Sequence, residues 1–375
     1  MPGVYISYPF CTQKCTFCNF ASGVLPAELA IAYLDGLISE LTSTNWPWPP
    51  ETVYLGGGTP SQLGPSELAR LLSAVPGRPW REATIEAAPG TITPGRAAGW
   101  AEAGINRVSL GVQSFVEAEL RGTGRRHTAE VVRGEIALLR SYGVGNISID
   151  LIAGLPRQTA ATWRESLDWI ERLAVPHVSV YMLEVDEDSR LGNEILSAGQ
   201  RYGAGEVPDE SAIVDFYEEA VDRLDSIGLA RYEISNFARP GFESAHNLKY
   251  WRLEPYLGFG ADAHSCHGGL RWQNVESVAD YVTRFREGVS PVFRTTPAVP
   301  PAGPNDEYFF LGLRQMAGVE ATPDRIAPFR AAVERLVAEG LLEYHSQRLK
   351  LTRRGVLLSN EVFGEFIQSC PKSSI

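Results

Sequence analysis

Between residues 4 and 235, short apolar runs alternate with amphipathic stretches, and no other feature restricts the fold of this chain so strongly. Runs at 4–8, 52–55, 83–87, 107–112, 146–152 and 177–183, each bounded by Gly, Pro or polar residues, read as strands. The stretches 27–43, 65–74, 94–102, 129–142 and 159–173 between them read as helices. In the first of these, Leu29, Tyr33, Leu34, Leu37, Ile38 and Leu41 recur at helical spacing. A helix over 209–227 is expected ahead of a last strand at 232–235. Strands alternating with helices make parallel βα units joined by right-handed crossovers. The expected fold class is α/β, a partial or complete parallel βα barrel, which binds ligands at the C-terminal ends of its strands.

Three of the five cysteines, Cys11, Cys15 and Cys18, follow the first strand at CxxxCxxC spacing. An odd number leaves one thiol unpaired, so a disulfide framework does not account for them. A closed zinc site takes four ligands, and an iron–sulfur cube is usually held by four cysteines. Three thiolates on four irons leave one iron open to an exchangeable ligand. The other strand ends are also marked. Gly56, Gly57 and Gly58, followed by Thr59, clear side chains from the second, so that a ligand can approach the backbone. Glu86 near the end of the third needs a partner, either a ligand hydroxyl or amine or an ion pair. Gln113 ends the fourth, and Asp150 lies inside the fifth, where a satisfied core Asp is the other reading.

The run from Tyr5 to Phe10 into CxxxCxxC, with Phe17 just before Cys18, resembles the entrance of a radical S-adenosylmethionine (SAM) domain. The resemblance implies a 4Fe–4S cluster on Cys11, Cys15 and Cys18, with SAM chelating the open iron. It implies that Gly57, Gly58 and Thr59 line the SAM site, with Tyr5, Phe17 and Glu86 in the same cofactor-binding set. Gln113 in GVQS, Arg125 in GRRH and Asp150 in DLIAGLP are similar to segments of the coproporphyrinogen-oxidase-like branch. There Arg125 is the candidate for the SAM carboxylate, a task its fork of donors suits. No residue is assigned a catalytic role. Ser7, Tyr8, Asn19 and Ala88 depart from the branch's usual His, Ile, Asp and Asn. Ser7 removes a histidine near the cluster, which bears on proton or propionate contacts and not on cluster binding.

Two features separate the heme chaperones of this branch from its oxygen-independent coproporphyrinogen III oxidases. The oxidases are expected to carry a fourth cysteine two places beyond the third, where this chain has Phe20. His246, Asn247, Tyr250 and Trp251 form an HNxxYW segment that resembles the chaperones. Chemically His246 offers an imidazole for heme iron and the aromatics offer flat faces for a macrocycle; without the family, His246 reads as a hydrogen-bonded structural residue. The resemblance implies heme as ligand, an acceptor hemoprotein of respiratory, membrane-associated type, and an electron donor, with the oligomeric state open. The oxidase, which decarboxylates two propionates, is the alternative. Further on, His264, Cys266 and His267 add two imidazoles and a thiol; Cys266 and Cys370 read as free thiols without a role.

The 375 residues carry a net charge of −11, which argues against nucleic acid as a partner, because phosphate neutralisation needs Lys and Arg. No apolar run reaches the roughly 20 residues that span a bilayer. A strand starts almost at once with no secretory pattern before it, so a reducing cytoplasm is expected. Three units are expected: a barrel core at 1–235, an extension at 236–304 carrying HNxxYW and a linker from 295, and a winged-helix-like unit at 305–375. The last comprises helices at 306–315, 324–339 and 354–367 and a wing at 340–344 and 348–352. Its Arg348, Lys350, Arg353 and Arg354 evoke DNA binding, against which the acidic whole favours a lid or interaction role.

Overall fold

A computed structural model of the chain describes residues 2–298 and 306–367. Cys370 and positions 299–304 of the expected linker lie outside the described residues.

Six strands, β1 (Gly3–Tyr8), β2 (Thr52–Gly57), β3 (Glu82–Ala87), β4 (Arg107–Gln113), β5 (Asn146–Ala153) and β6 (His177–Met182), lie side by side in parallel in that order. Alternate side chains of a strand point to opposite faces. One face carries Val4, Ile6, Val53, Leu55, Ile85, Val108, Leu110, Ile147, Ile149, Val178 and Val180, all buried. The helices Ala27–Ser43, Pro65–Ser73, Pro94–Glu102, Ala129–Ser141, Ala160–Leu173 and Glu210–Ser226 contribute buried side chains such as Leu37, Leu71, Trp100, Ile136, Ile170 and Leu224 to that core. Each fully buried Leu, Ile or Val contributes about 1.5–3 kcal/mol. The concave face is polar instead, with Glu86, Ser109, Ser148, Asp150 and Ser179.

The sheet continues beyond both ends of this parallel block. β7 (Ala230–Arg231) and β8 (Asn236–Ala238) are antiparallel and join it at β6. On the other side β9 (Tyr256–Phe259) pairs parallel with β1. β10 (His264–His267), β11 (Leu270–Asn274) and β12 (Val292–Pro297) then follow as an antiparallel meander. The result is one 12-stranded sheet whose ends, β12 and β7, do not pair, so the barrel is partial.

Two expectations are corrected here. Residues 232–235 are not a strand but the turn between β7 and β8. The carbonyl of Tyr232 accepts from the Met316 amide at 3.0 Å, the Ile234 amide donates to the Arg314 carbonyl at 3.1 Å, and Glu233 bridges to Gln315. That backbone bonds mainly across to the C-terminal unit, with the Ser235 carbonyl accepting from the Val180 amide of β6 at 2.8 Å. Residues 295–297, expected in a linker, belong to β12, where Thr295, Thr296 and Pro297 pair with Trp272, Arg271 and Leu270. Proline is tolerated there because β12 is an edge strand.

The C-terminal unit holds the helices Asp306–Gly312 and Arg330–Ala338 and a sheet of β13 (Val319–Glu320), β14 (Leu342–His345) and β15 (Arg348–Leu351). Phe309, Phe329 and Phe366 form its aromatic core, with the Phe309 and Phe366 rings stacked at 4.9 Å. The helix expected over 324–339 is broken into Pro323–Ile326, a single turn at Ala327–Phe329, and Arg330–Ala338. Pro328 has no N–H to continue it. The last helix likewise divides into Arg353–Leu357 and Ser359–Gly364. The basic residues of the wing are engaged within the protein. Arg353 pairs with Glu218 and, at 2.7 Å, with Asp222; Lys350 pairs with Glu343 at 2.8 Å; Arg348 donates to the Ala317 carbonyl at 3.0 Å.

Candidate functional site

β1 ends at Tyr8, and after Pro9 and Phe10 the chain makes a loop closed at its neck by main-chain bonds. The Cys11 amide donates to the Gly23 carbonyl at 2.9 Å, and the Gly23 amide to the Pro9 carbonyl at 3.0 Å. The amides of Gly58 and Thr59 donate to the carbonyls of Tyr8 and Phe10 at 3.0 and 2.9 Å. A Cβ at Gly58 would stand 2.8 Å from the backbone of Pro9 and Phe10, and one at Gly56 would stand 3.0 Å from the Glu86 carboxylate. The glycine run is thus needed by the protein itself. Gly58 lets the cysteine loop cross, and Gly56 makes room for Glu86.

Cys11, Cys15 and Cys18 are half-buried and line the mouth of a cavity of about 460 Å³ that runs down the concave face of the sheet. Thr59 Oγ1 donates to Cys11 Sγ at 3.5 Å. Burial raises the Cys18 pKa, while the backbone at Phe20 and the Lys14 charge pull it back. Among the described residues no three His, Cys, Asp or Glu side chains converge on a point that a single metal ion would occupy. Three thiolates on one loop are the donor chemistry of an iron–sulfur cluster.

Beneath the cysteines the cavity is lined by Phe17, Gly57, Gly58, Thr59, Glu86, Gln113, Arg125, Asp150 and Asn247, all of them singled out in the sequence. Tyr54 Oη donates to Glu86 Oε1 at 2.8 Å. Burial pushes the Glu86 pKa up to about 7; the Tyr54 bond opposes the shift and the nearby Asp150 adds to it. Ser109 Oγ lies 3.2 and 3.1 Å from the two Asp150 oxygens. Burial raises the Asp150 pKa too, against the hydroxyls of Ser179 and Ser109. Arg125 Nη1 donates to the Gly111 carbonyl at 2.6 Å, and its buried Nε has no protein partner. Its neighbour Arg126 is exposed and stays out of this cavity. Gln113 ends β4 at φ 71°, left-handed backbone that is costly for a residue with a Cβ. A Cβ on Gly111 would stand 3.0 Å from Gln113 Nε2. Glu119, Ser114 and Gln158 tie the loops behind these residues together: Ser114 Oγ donates to Glu119 at 2.6 Å and Gln158 Nε2 at 3.2 Å. Burial lowers the His127 pKa to about 4, and the adjacent Arg125 adds to it.

The floor of the cavity went unread in the sequence. Arg107, Ser109, Ser148, His177, Ser179 and Tyr181 line it. Ser148 Oγ meets His177 Nδ1 at 2.8 Å, and His177 Nε2 meets Tyr232 Oη at 2.9 Å. The available signal was period two, since Ser148 and Asp150, and Ser179 and Tyr181, alternate with apolar residues.

Tyr5, His246, Tyr250 and Trp251 do not line the cavity. Tyr5 is stacked at 6.1 Å on Tyr54, which does line it. The helix Ala245–Trp251 is held at its N-terminus by Glu82, which accepts from the amides of Ala245 and His246, each at 2.9 Å. Thr52 Oγ1 and Tyr250 Oη occupy the two ring nitrogens of His246, each at 2.9 Å, and the residue is 1% exposed. Burial lowers its pKa to about 3. Tyr250 packs edge-on against Tyr256 at 4.7 Å, and Arg314 lies over Trp251 at 4.6 Å. The expectation that His246, Tyr250 and Trp251 face a ligand is corrected: they rivet the helix to β2, β9 and the C-terminal unit, and Asn247 alone of the four reaches the cavity.

The Radical SAM superfamily matches residues 5–170. Over 98% of this chain and 99% of its own length, the heme chaperone HemW of Bacillus subtilis (strain 168) is 34% identical. The chain belongs to the HemW family. HemW of Lactococcus lactis subsp. lactis (strain IL1403) is also 34% identical, over 97% of this chain and 96% of its own length. A coproporphyrinogen III oxidase, HemN, from Escherichia coli, described as a radical SAM enzyme, superposes with a TM-score of 0.82 over 97% of this chain and 89% of its own. At 22% identity that likeness speaks to fold. Phe20, two places beyond Cys18, is 68% exposed on the cysteine loop. Among the described residues no helix is long and apolar enough to cross a membrane.

Proposed function

We propose that this chain is a heme chaperone that binds heme, carries a 4Fe–4S cluster with exchangeable SAM, and hands heme to an acceptor hemoprotein. The 34% identity to HemW of Bacillus subtilis along nearly the full length of both chains carries the reading. Cys11, Cys15 and Cys18 would hold the cluster. Gly57, Gly58, Thr59, Glu86, Gln113, Arg125 and Asp150 would bind SAM, with the spare donors of Arg125 directed at its carboxylate. When bound, the pair supplies reductive cleavage of the sulfonium. The chain's own residues would orient SAM in the cavity on the concave face of the sheet. A reducing cytoplasm suits three unpaired thiols. The acceptor, a respiratory and membrane-associated hemoprotein, and an electron donor complete the set of partners. In the domain organisation we favour, the unit at 236–304 widens the core's own sheet and the unit from 305 packs beneath it.

The test is an anaerobic pair of measurements on reconstituted protein: heme titration by absorbance, and turnover of coproporphyrinogen III with SAM and reductant. Saturable heme binding without turnover is the expected result. Turnover of the porphyrinogen would replace the chaperone by the oxidase.

A further inference from the structure

This inference rests on the heme-binding reading and asks which side chain meets the iron. All six histidines of the chain lie within the described residues. His177 and His246 are buried with both ring nitrogens engaged. His127 lines a separate cleft with Gln13, Arg125 and Arg126, and its Nε2 is sealed from solvent. His267 Nδ1 accepts from Trp48 Nε1 at 3.3 Å, with the two rings edge to face. His345 sits on the small wing sheet, which shares no strand with the barrel. His264 is left.

The sheet pairing fixes where His264 stands. β9 runs parallel to β1, whose C-terminal end leads into the cysteine loop. β10 runs back antiparallel, so its first residue, His264, lies at the cysteine end of the wall. Cys266 pairs with Tyr256, and Tyr256 pairs with Gly3, two residues before Tyr5. By alternation His264 therefore faces the concave side, as Tyr5 does. Across the strands His264 is paired with Gln273, and Gln273 with Arg294. Imidazole, amide and guanidinium thus form one row on one face. The row below, Cys266, Arg271 and Thr296, is partly covered, because Arg271 is clamped to Glu307 at 2.5 and 3.0 Å. The upper row is open: His264 and Arg294 are exposed, and Arg294 has no ion pair to another described residue. Gln273 is held back by its 2.9 Å bond to Asp262.

We propose that His264 is the heme-iron ligand of this chain and that Arg294 pairs with a heme propionate. An accessible imidazole is a common axial ligand of heme, and a free guanidinium is the side chain best matched to a carboxylate. Partial burial against the wall lowers the His264 pKa; Asp262 opposes this, and Arg271 and Arg294 add to it. The neutral ring is the form that ligates. His246, read from sequence as the ligand, becomes a positioning residue for the wall and for Asn247.

The test is titration of the full-length protein with ferric heme, followed by Soret absorbance and electron paramagnetic resonance, in wild type, His264→Ala, Arg294→Ala, His246→Gln and Cys266→Ala. Circular dichroism checks the fold of each. In His264→Ala the affinity is expected to fall at least tenfold, with the Soret band moving toward that of free heme and free imidazole restoring the ligated spectrum. Arg294→Ala is expected to weaken binding severalfold at an unchanged Soret position. A folded His246→Gln and Cys266→Ala are expected to keep the wild-type spectrum. Unchanged spectrum and affinity in His264→Ala would overturn the assignment while leaving heme binding intact. A thiolate-type spectrum abolished by Cys266→Ala would do the same. A wild type that binds no heme at all would remove the proposed function itself, and this assignment with it.

Discussion

At the scale of single residues, Glu86 is the side chain whose behaviour is easiest to check. Its folded pKa of about 7 lies above the ordinary 4.5 of a carboxyl. Between those values the folded chain holds a proton that the unfolded chain has released, so stability falls as pH rises through the window and levels off above it. Glu86→Gln is expected to flatten that slope in the cluster-free protein and to raise stability at pH 8 by a few kcal/mol at most, read as urea midpoints at pH 5 and 8. A slope equal to wild type would mean that Glu86 ionises normally. Cys15→Ala is expected to lose the iron of the reconstituted protein while its cluster-free form unfolds within about 0.5 kcal/mol of wild type. Iron content unchanged from wild type would remove Cys15 from the ligand set. Much of the cavity was legible because thiolates, a glycine run and strand-end carboxylates are rare in such places. His246 was not. An imidazole next to aromatics is equally suited to iron and to a packed core, and only the positions of Thr52 and Tyr250 decide between them.

Elements were legible where burial imposed a period. The six parallel strands and their helices fell within a few residues of expectation, since apolar runs and 3.6-residue spacing both report burial. β12 was not legible, because its side chains from Phe293 to Pro297 are all exposed and carry no apolar alternation. What holds the β9–β12 wall in place is also hidden from sequence. Glu40, on the helix Ala27–Ser43, accepts from Tyr281 Oη at 2.5 Å, Asn274 Nδ2 at 2.8 Å and the Gly260 amide at 2.9 Å. Burial raises its pKa against these three donors. Glu40→Ala orphans Tyr281 Oη and the Gly260 amide, while Asn274 Nδ2 keeps its 2.9 Å bond to the Gly260 carbonyl, and is expected to cost on the order of 3 kcal/mol. In hydrogen exchange, amides of β10 and β11 should lose more protection than those of β3 and β4; uniform loss across the sheet would contradict a local anchor.

For the molecule as a whole, Arg314 adds a cation–π contact to the joint between barrel and C-terminal unit. It lies over Trp251 at 4.6 Å and Phe363 at 5.7 Å, with Glu233 buried nearby. Arg314→Ala is expected to cost about 2 kcal/mol and to speed amide hydrogen exchange in β13–β15 more than in β3 and β4; wild-type exchange there would show that Arg314 does not hold the joint. The loop that carries Cys11, Cys15 and Cys18 is pinned at its neck by main-chain bonds, within itself through Gly23 and to the end of β2 through Gly58 and Thr59. The three thiols are therefore mounted on one bracket, and a change at Gly23 or Gly58 would shift all three together rather than one at a time.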